Sequence, residues 1–205
     1  MTDDELATAL LVSRLRSEGL HPLKSAEYWA LCDRIGRPSA VLGRTEQDLV
    51  AAHGLPGDLA SRIASLVDRA TAMAFELDDL AQSGVSAVTP FDDHYPQRFV
   101  ARLGTKAPPL LYAAGDVGLF DAPGVGVVGS RDVSADGGEV ARMMAHTAAR
   151  LGRSLVSGAA RGVDQLAMSA AFDAGGTVVA ILADSLLRTL RRPDVRRAVH
   201  EGNIV

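Results

Sequence analysis

Two stretches decide the fold: GVGVVGSR at residues 124–131 and SGAARGVD at residues 157–164. Each is a short apolar run that stops abruptly in Gly, Ser and Arg, and a helical pattern follows each. Short apolar runs alternating with amphipathic helices are the pattern of parallel βαβ units with right-handed crossovers. Neighbouring strand ends of such a sheet bring the two loops side by side at its carboxyl edge, where ligands bind. Small residues there let backbone N–H groups approach a ligand, and Arg131 and Arg161 supply charge. An oxyanion suits that arrangement, so a nucleotide or a nucleic-acid backbone is the leading ligand class.

Outward from these loops the alternation continues. Strands are expected at 125–128, 155–156 and 177–182, and helices at 135–151, 163–173 and 193–200. The third strand end is Ala183-Asp184-Ser185. Upstream, 85–88 and 110–114 read as short strands around a one- or two-turn helix that Tyr95-Pro96 opens. The first 82 residues read differently, as helices with short breaks. Asp3 or Asp4, Ser25 and the Thr45–Asp48 capping box mark helix starts, and Gly19, Gly36 and Gly54 mark ends. Leu59, Ile63, Leu66, Val67, Ala70, Ala74 and Leu77 form one apolar stripe, which predicts a single longest helix. The fold class is therefore α/β: a Rossmann-like parallel-sheet domain over 83–205, preceded by a small all-helical domain over 1–82. The Gly54-Leu55-Pro56 turn is similar to that of helix-hairpin-helix and SAM-like modules.

The run from Gly124 to Gly129 also fits the dinucleotide fingerprint G-x-G-x-x-G, and that reading fails on context. The fingerprint needs its glycines after a strand and at a helix start. Here Val125, Val127 and Val128 are themselves the strand, so Gly124 and Gly126 are packing glycines and Gly129 alone stands at a strand end. Arg131 follows a buried strand, and its planar fork suits phosphate oxygens better than a pairing with Asp132 or Asp136. Ser134 or Asp136 caps the next helix, Asp136 and Glu139 form a capping box, and Gly137-Gly138 allow a close approach. In the second loop Ser157 and Gly158 end a strand, Gly162 turns the chain into a helix, and Asp164 caps free N–H groups or restrains Arg161. That capping role outweighs general-base catalysis, so no catalytic residue is assigned.

Composition narrows the classes. The formal net charge is −4, which gives no whole-chain case for nucleic-acid binding. Charge is unevenly spread: residues 1–83 carry 8 Lys+Arg against 13 Asp+Glu, and residues 84–205 carry 13 against 12. Five arginines fall within 186–205 against Asp194 and Glu201, so a basic patch is expected near that end. The aromatic content of 4% weighs against binding by base stacking alone. Cys32 is the single cysteine, in an apolar helical pattern, and the five histidines show no ligand spacing. Neither a disulfide, a metal site nor a cofactor is expected. With no secretory signal and no apolar run of ~20 residues, a cytoplasmic protein is expected.

Five motifs in order resemble the DNA-processing protein A family (DprA, also called Smf) of bacteria. They are Tyr95-Pro96, Pro108-Pro109-Leu110-Leu111-Tyr112, Gly129-Ser130-Arg131, the loop from Ser157 to Asp164, and the run from Gly175 to Leu182. The helical segment matches the family's SAM-like module in position and size. The resemblance implies an extended Rossmann fold that binds single-stranded DNA, protects incoming DNA during natural transformation and helps load a RecA-type recombinase. By motif, the implied DNA-contacting residues are Gly129, Ser130, Arg131, Ser157, Gly158, Arg161 and Gly162, with Ser134 and Asp164 in support. A homodimer is a further family implication. Two departures stand out: Ala167-Met168 where the family has Ala-His, and Ala183-Asp184-Ser185 where it often has Gly-x-Gly, which puts a carboxylate near the anion site. Family members carry further strands and often a winged-helix domain, so the sheet domain is expected to be incomplete at its C-terminus, with residues 203–205 starting a next strand. Two other readings stay open. One is a nucleotide sensor similar to the related LOG superfamily, although the Pro-Gly-Gly-x-Gly-Thr loop and following Glu of that group are absent from the sequence. The other is a protein-interaction platform without DNA.

Overall fold

The structure, a computed structural model, describes residues 1–183 and 185–204. Asp184 therefore lies outside the described residues. The chain divides into two units, Met1–Tyr112 and Ala113–Val205.

The first unit holds α1 (Asp3–Val12), α2 (Ser25–Ile35), α3 (Glu46–His53), α4 (Gly57–Val67), α5 (Ala70–Gln82), β1 (Ser86–Val88) and α6 (Gln97–Leu103), and β2 (Leu111–Ala113) pairs with β1 at its end. Helix starts follow local capping chemistry. Thr2, not Asp3 or Asp4, caps α1: its hydroxyl accepts from Glu5 N at 3.3 Å while the Glu5 carboxylate accepts from Thr2 N at 2.6 Å. Asp4 instead turns inward, accepting from Arg37 at 2.9 Å and from Ser39 N at 3.0 Å. Ser25 is the first residue of α2, and the Glu27 carboxylate holds Lys24 N at 2.7 Å. Thr45 and Asp48 exchange bonds as the capping box requires, and Gly54 ends α3 in the left-handed region. Tyr28, Leu31, Val41, Leu49, Ile63 and Leu66 are buried together in this unit's core.

The expected longest helix is two helices. The helix is interrupted after Val67: Asp68 still has helical dihedrals, Arg69 leaves them, and the Arg69 side chain reaches across to the C-terminal end of α1. Its guanidinium donates to the carbonyls of Leu10, Leu15 and Ser13, and to Leu66 O at 3.1 Å. Helix ends leave carbonyls unpaired, and this arginine, placed at the break, meets that of Leu10 in the last turn of α1 together with those of Ser13 and Leu15 just beyond it. The division between units falls at 112/113 and not at the change of sequence pattern near 82. Residues 83–112 are held to the helices by Trp29 Nε1 donating to Ala107 O at 2.9 Å and by the Ser13–Tyr112 hydroxyl pair at 2.7 Å.

The second unit is built on β3 (Gly124–Gly126), α7 (Ala135–Arg150), β4 (Ser154–Ser157), α8 (Val163–Asp173), β5 (Val178–Ala180), α9 (Leu186–Thr189) and α10 (Pro193–His200). The three strands are parallel in the order β3-β4-β5, with Val125 opposite Leu155 and Leu155 opposite Val178. Side chains alternate across the sheet. Leu155 and Val178 pack with Ala141 and Ala145 of α7 and Ala167, Ala170 and Ala171 of α8. On the other face Val156 and Val179 meet Ala113, Phe120 and Ile204. Alanines on both helices let them approach closely. Gly138 serves the same packing, because a Cβ there would meet Leu166 Cδ1 at 3.3 Å. Ile204 bridges Val179 in parallel, so 203–204 continue the sheet beside β5, as the sequence suggested. Gly124 lies inside β3, where a Cβ would sit 2.9 Å from Val156 Cγ2, and this removes the dinucleotide-fingerprint reading.

Candidate functional site

The carboxyl ends of β3 and β4 feed the two Arg-bearing loops, and the structure brings those loops into direct contact. Val163 N donates to Ser130 O at 3.1 Å. Gly162 has φ +95°, and a Cβ on it would lie 2.2 Å from Ser130 O and 2.8 Å from Arg131 Cα. A Cβ on Gly129 would lie 2.7 Å from the Val163 side chain. Gly129 and Gly162 are thus the residues that let the loops close on one another, and Arg131 and Arg161 leave the same edge.

The oxygen-bearing side chains of the loops point to backbone. Ser157 is buried, at 3% exposure, and its hydroxyl donates to Val127 O at 2.6 Å. It ties β4 to the first loop and has no side-chain donor left for a ligand. Asp164, at 5% exposure, accepts from Gly158 N at 3.1 Å, so the carboxylate holds a loop amide rather than the first turn of α8 or Arg161, and the Gly158 amide is spent. Ser130 Oγ accepts from Asp132 N at 3.0 Å and donates to Asp132 O at 2.8 Å, closing a local turn. Ser134 is the N-cap of α7, accepting from Gly137 N at 3.1 Å. The Asp136–Glu139 capping box does not form: α7 begins one residue before Asp136, and Glu139 instead meets Arg142 at 3.4 Å.

What remains unspent is a set of donors. Among the described residues, none accepts from the amides of Gly129, Ser130 and Arg131, or from those of Ala159, Ala160 and Arg161. Arg131 and Arg161 are exposed, and no carboxylate among the described residues pairs with either; the alternative partners Asp132 and Asp136 do not reach Arg131. Ala159 stands at φ +55°, an unfavourable region for a residue with a Cβ, so the second loop is held in a strained turn where its amides find no backbone acceptor among the described residues. Amides without an acceptor beside two guanidinium groups can hold the oxygens of an anion. Of the nine residues singled out from the sequence, Gly129, Ser130, Arg131, Arg161 and Gly162 line this edge, whereas Ser157, Gly158, Ser134 and Asp164 build the frame beneath it.

The second unit also has features the sequence did not single out. Asn203 is buried and pins the chain end to the sheet: its Oδ1 accepts from Val178 N at 2.6 Å and its Nδ2 donates to Ala198 O at 2.8 Å. Arg197 sits over the Phe172 ring, 5.3 Å from its centre. Arg192 meets Asp194 at 2.7 Å and holds that carboxyl below the usual carboxylate range. No group of three or more metal-ligating side chains gathers among the described residues, and no helix is long and apolar enough to cross a membrane.

Comparison with known proteins gives the family and the fold. The sequence profile of the family described as DNA recombination-mediator protein A matches residues 86–200, which contain both loops. The DNA processing protein DprA of Bacillus subtilis is 24% identical over 96% of the chain and 63% of its own length. A putative DNA processing protein DprA of Mycobacterium tuberculosis is 33% identical over 78% of the chain and 46% of its own length. The X-ray structure of DNA processing protein A from Streptococcus pneumoniae superposes with a TM-score of 0.50 at 22% identity, covering 89% of this chain and 66% of that one. That likeness shows a shared fold. The chain spans about half to two thirds of the length of these relatives.

Proposed function

The chain belongs to the DNA recombination-mediator protein A family, and on that premise we propose that it binds single-stranded DNA through the paired Arg loops, without catalysing a reaction on it. The observation that carries this reading is the donor excess at one sheet edge. Six loop amides have no acceptor among the described residues and two exposed guanidinium groups have no carboxylate partner there, while every nearby hydroxyl and the buried carboxylate are turned to backbone. Such an edge grips phosphates and carries no base code. A strand without secondary structure can bring successive phosphates to it, whereas a duplex presents a fixed spacing. In this reading the protein shields single strands and hands them to a RecA-type recombinase, as a member of a recombination-mediator family in the cytoplasm. Dimerisation belongs to the same proposal.

Fluorescence anisotropy with a labelled oligothymidylate tests it. Each arginine meeting a phosphate adds about −0.7 to the slope of log K against log salt on a single strand. Replacing both Arg131 and Arg161 by Ala is expected to flatten that slope by roughly 1.4 and to weaken binding at low salt. A double variant with wild-type affinity and slope overturns the proposal. So does saturable calorimetric binding of AMP at the loops with no oligonucleotide affinity.

A further inference from the structure

We infer that the cavity between α8, β5 and α10 is a nucleobase site, receiving one base of the strand whose phosphates lie on the Arg loops. The inference rests on the phosphate reading of those loops and adds a second, chemically different contact to it. The cavity holds about 300 Å³, the lower end of the range for small-ligand pockets, which suits a single ring system. It opens from the second loop: Ala159 lies on its wall, as does Gln165, whose Nε2 makes only a long contact of 3.5 Å with Ala159 O. A strand leaving Arg161 therefore meets the cavity mouth next.

Its lining divides by chemistry. Phe172, Met168 and Leu182 give an apolar wall, and Gln165 and Ser169 are polar groups free to meet a base edge. Arg197 completes the site. Its guanidinium is held over Phe172, and no carboxylate among the described residues pairs with it. A guanidinium supported on one side by a ring offers its other side to a base, a stacking surface that nucleic-acid-binding proteins use alongside aromatic rings. This compensates for the low aromatic content that weighs against pure ring stacking. At the rim Arg192 is paired with Asp194, and Asp173 also lines the cavity, so among the described residues the free cation of the site is Arg197.

The experiment compares a short oligothymidylate with an abasic strand of the same phosphate count, by anisotropy, on the wild-type chain and on Ser169→Trp. Ser169 is exposed, so a Trp there obstructs the cavity without touching the core. Base stacking contributes roughly five-fold or more per base, so the natural strand should bind wild type at least that much more tightly than the abasic one. On Ser169→Trp the two strands should bind alike. Equal affinities on wild type, with Arg131→Ala weakening both, overturn the base site and leave the phosphate reading standing. A natural-strand preference that survives Ser169→Trp puts the base elsewhere and also overturns it. If neither strand binds, the loop reading fails, and calorimetry with AMP decides the cavity. Saturable binding lost in Ser169→Trp upholds a nucleotide site, and no binding overturns it.

Discussion

Gly162→Ala tests the contact on which the whole edge depends. At φ +95° and ψ −130° the residue occupies a region open in practice to glycine alone, and placing a Cβ there costs about 1–3 kcal/mol. The new atom would also lie 2.2 Å from Ser130 O and 2.8 Å from Arg131 Cα and C. Those are backbone atoms of the opposing loop, so relief requires the loops to part by about 1 Å rather than a side chain to rotate. Parting them removes the Val163 N to Ser130 O bond, worth about 1 kcal/mol. The sum is about 2–4 kcal/mol. Gly152→Ala is the control, since Gly152 has φ +63° with nothing within 4 Å of a built Cβ, and the left-handed penalty alone is about 1–2 kcal/mol. Urea unfolding followed by circular dichroism compares the two. Gly162→Ala should be the less stable by about 1–2 kcal/mol and should lose oligonucleotide affinity, while Gly152→Ala keeps it. Equal stability of the two variants, or full affinity in Gly162→Ala, refutes the close approach of the loops as the basis of the site.

Arg69→Met strips the donors from the carbonyls of Leu10, Ser13, Leu15 and Leu66 and is expected to cost about 2–4 kcal/mol, read as a lower urea midpoint in Trp29 emission. An unchanged midpoint means that the α4–α5 break has another cause. Asp164→Ala removes the acceptor for Gly158 N and should destabilise by about 1–3 kcal/mol. Asp164→Asn keeps an acceptor oxygen and should bind DNA as wild type does, whereas loss of binding with intact stability would give the carboxylate a direct role. Burial disfavours the phenolate and raises the pKa of all three tyrosines: Tyr95 is pushed up to about 12, and Tyr28 and Tyr112 also rise. Their folded pKa values exceed the unfolded value near 10, so the stability they contribute is complete below pH 10 and is lost as pH climbs toward 12. Absorbance at 295 nm should therefore rise only together with unfolding, and a reversible tyrosine ionisation near pH 10 in the folded chain would contradict this.

The parts of the fold that are legible in the sequence are those with local punctuation. α8 and α10 fall where Gly162 and Pro193 place them, because a positive-φ glycine and a first-turn proline fix helix starts without tertiary help. The Thr45–Asp48 box is equally local. The break at Asp68-Arg69 is illegible because apolar residues continue on both sides of it, and its cause is a set of carbonyls more than fifty residues away in sequence. The same holds for the site. The Arg loops and their adjacency follow from strand order and glycine placement. Which serine faces a ligand does not, because Ser130 and Ser157 look alike in sequence, and only packing sends Ser157 to Val127 O. The crossover from β5 through α10 to residues 203–204 is legible, but the Asn203 pin and the cavity beside α10 depend on which side chains meet across it, and nothing local in the sequence says that.

The charge at the edge calls for a particular kind of binding. Arg131 and Arg161 stand among Asp132, Asp136 and Asp164 within the same loops and first helical turns. By formal charge alone this neighbourhood would not attract a polyanion. Asp164 is buried against an amide and satisfied there, and the Asp132 backbone is folded into the Ser130 turn. The positive character is therefore short-ranged, built from oriented N–H groups and two unpaired guanidinium forks that act only on an anion already at the edge. Long-range attraction has to come from elsewhere, and the arginines of α10 and the turn before it are the densest cationic stretch of the second unit. On the proposed reading, capture near α10 followed by registration of phosphates at the loops would give the two groups of arginines different duties. The first would govern how fast a strand arrives and the second how long it stays.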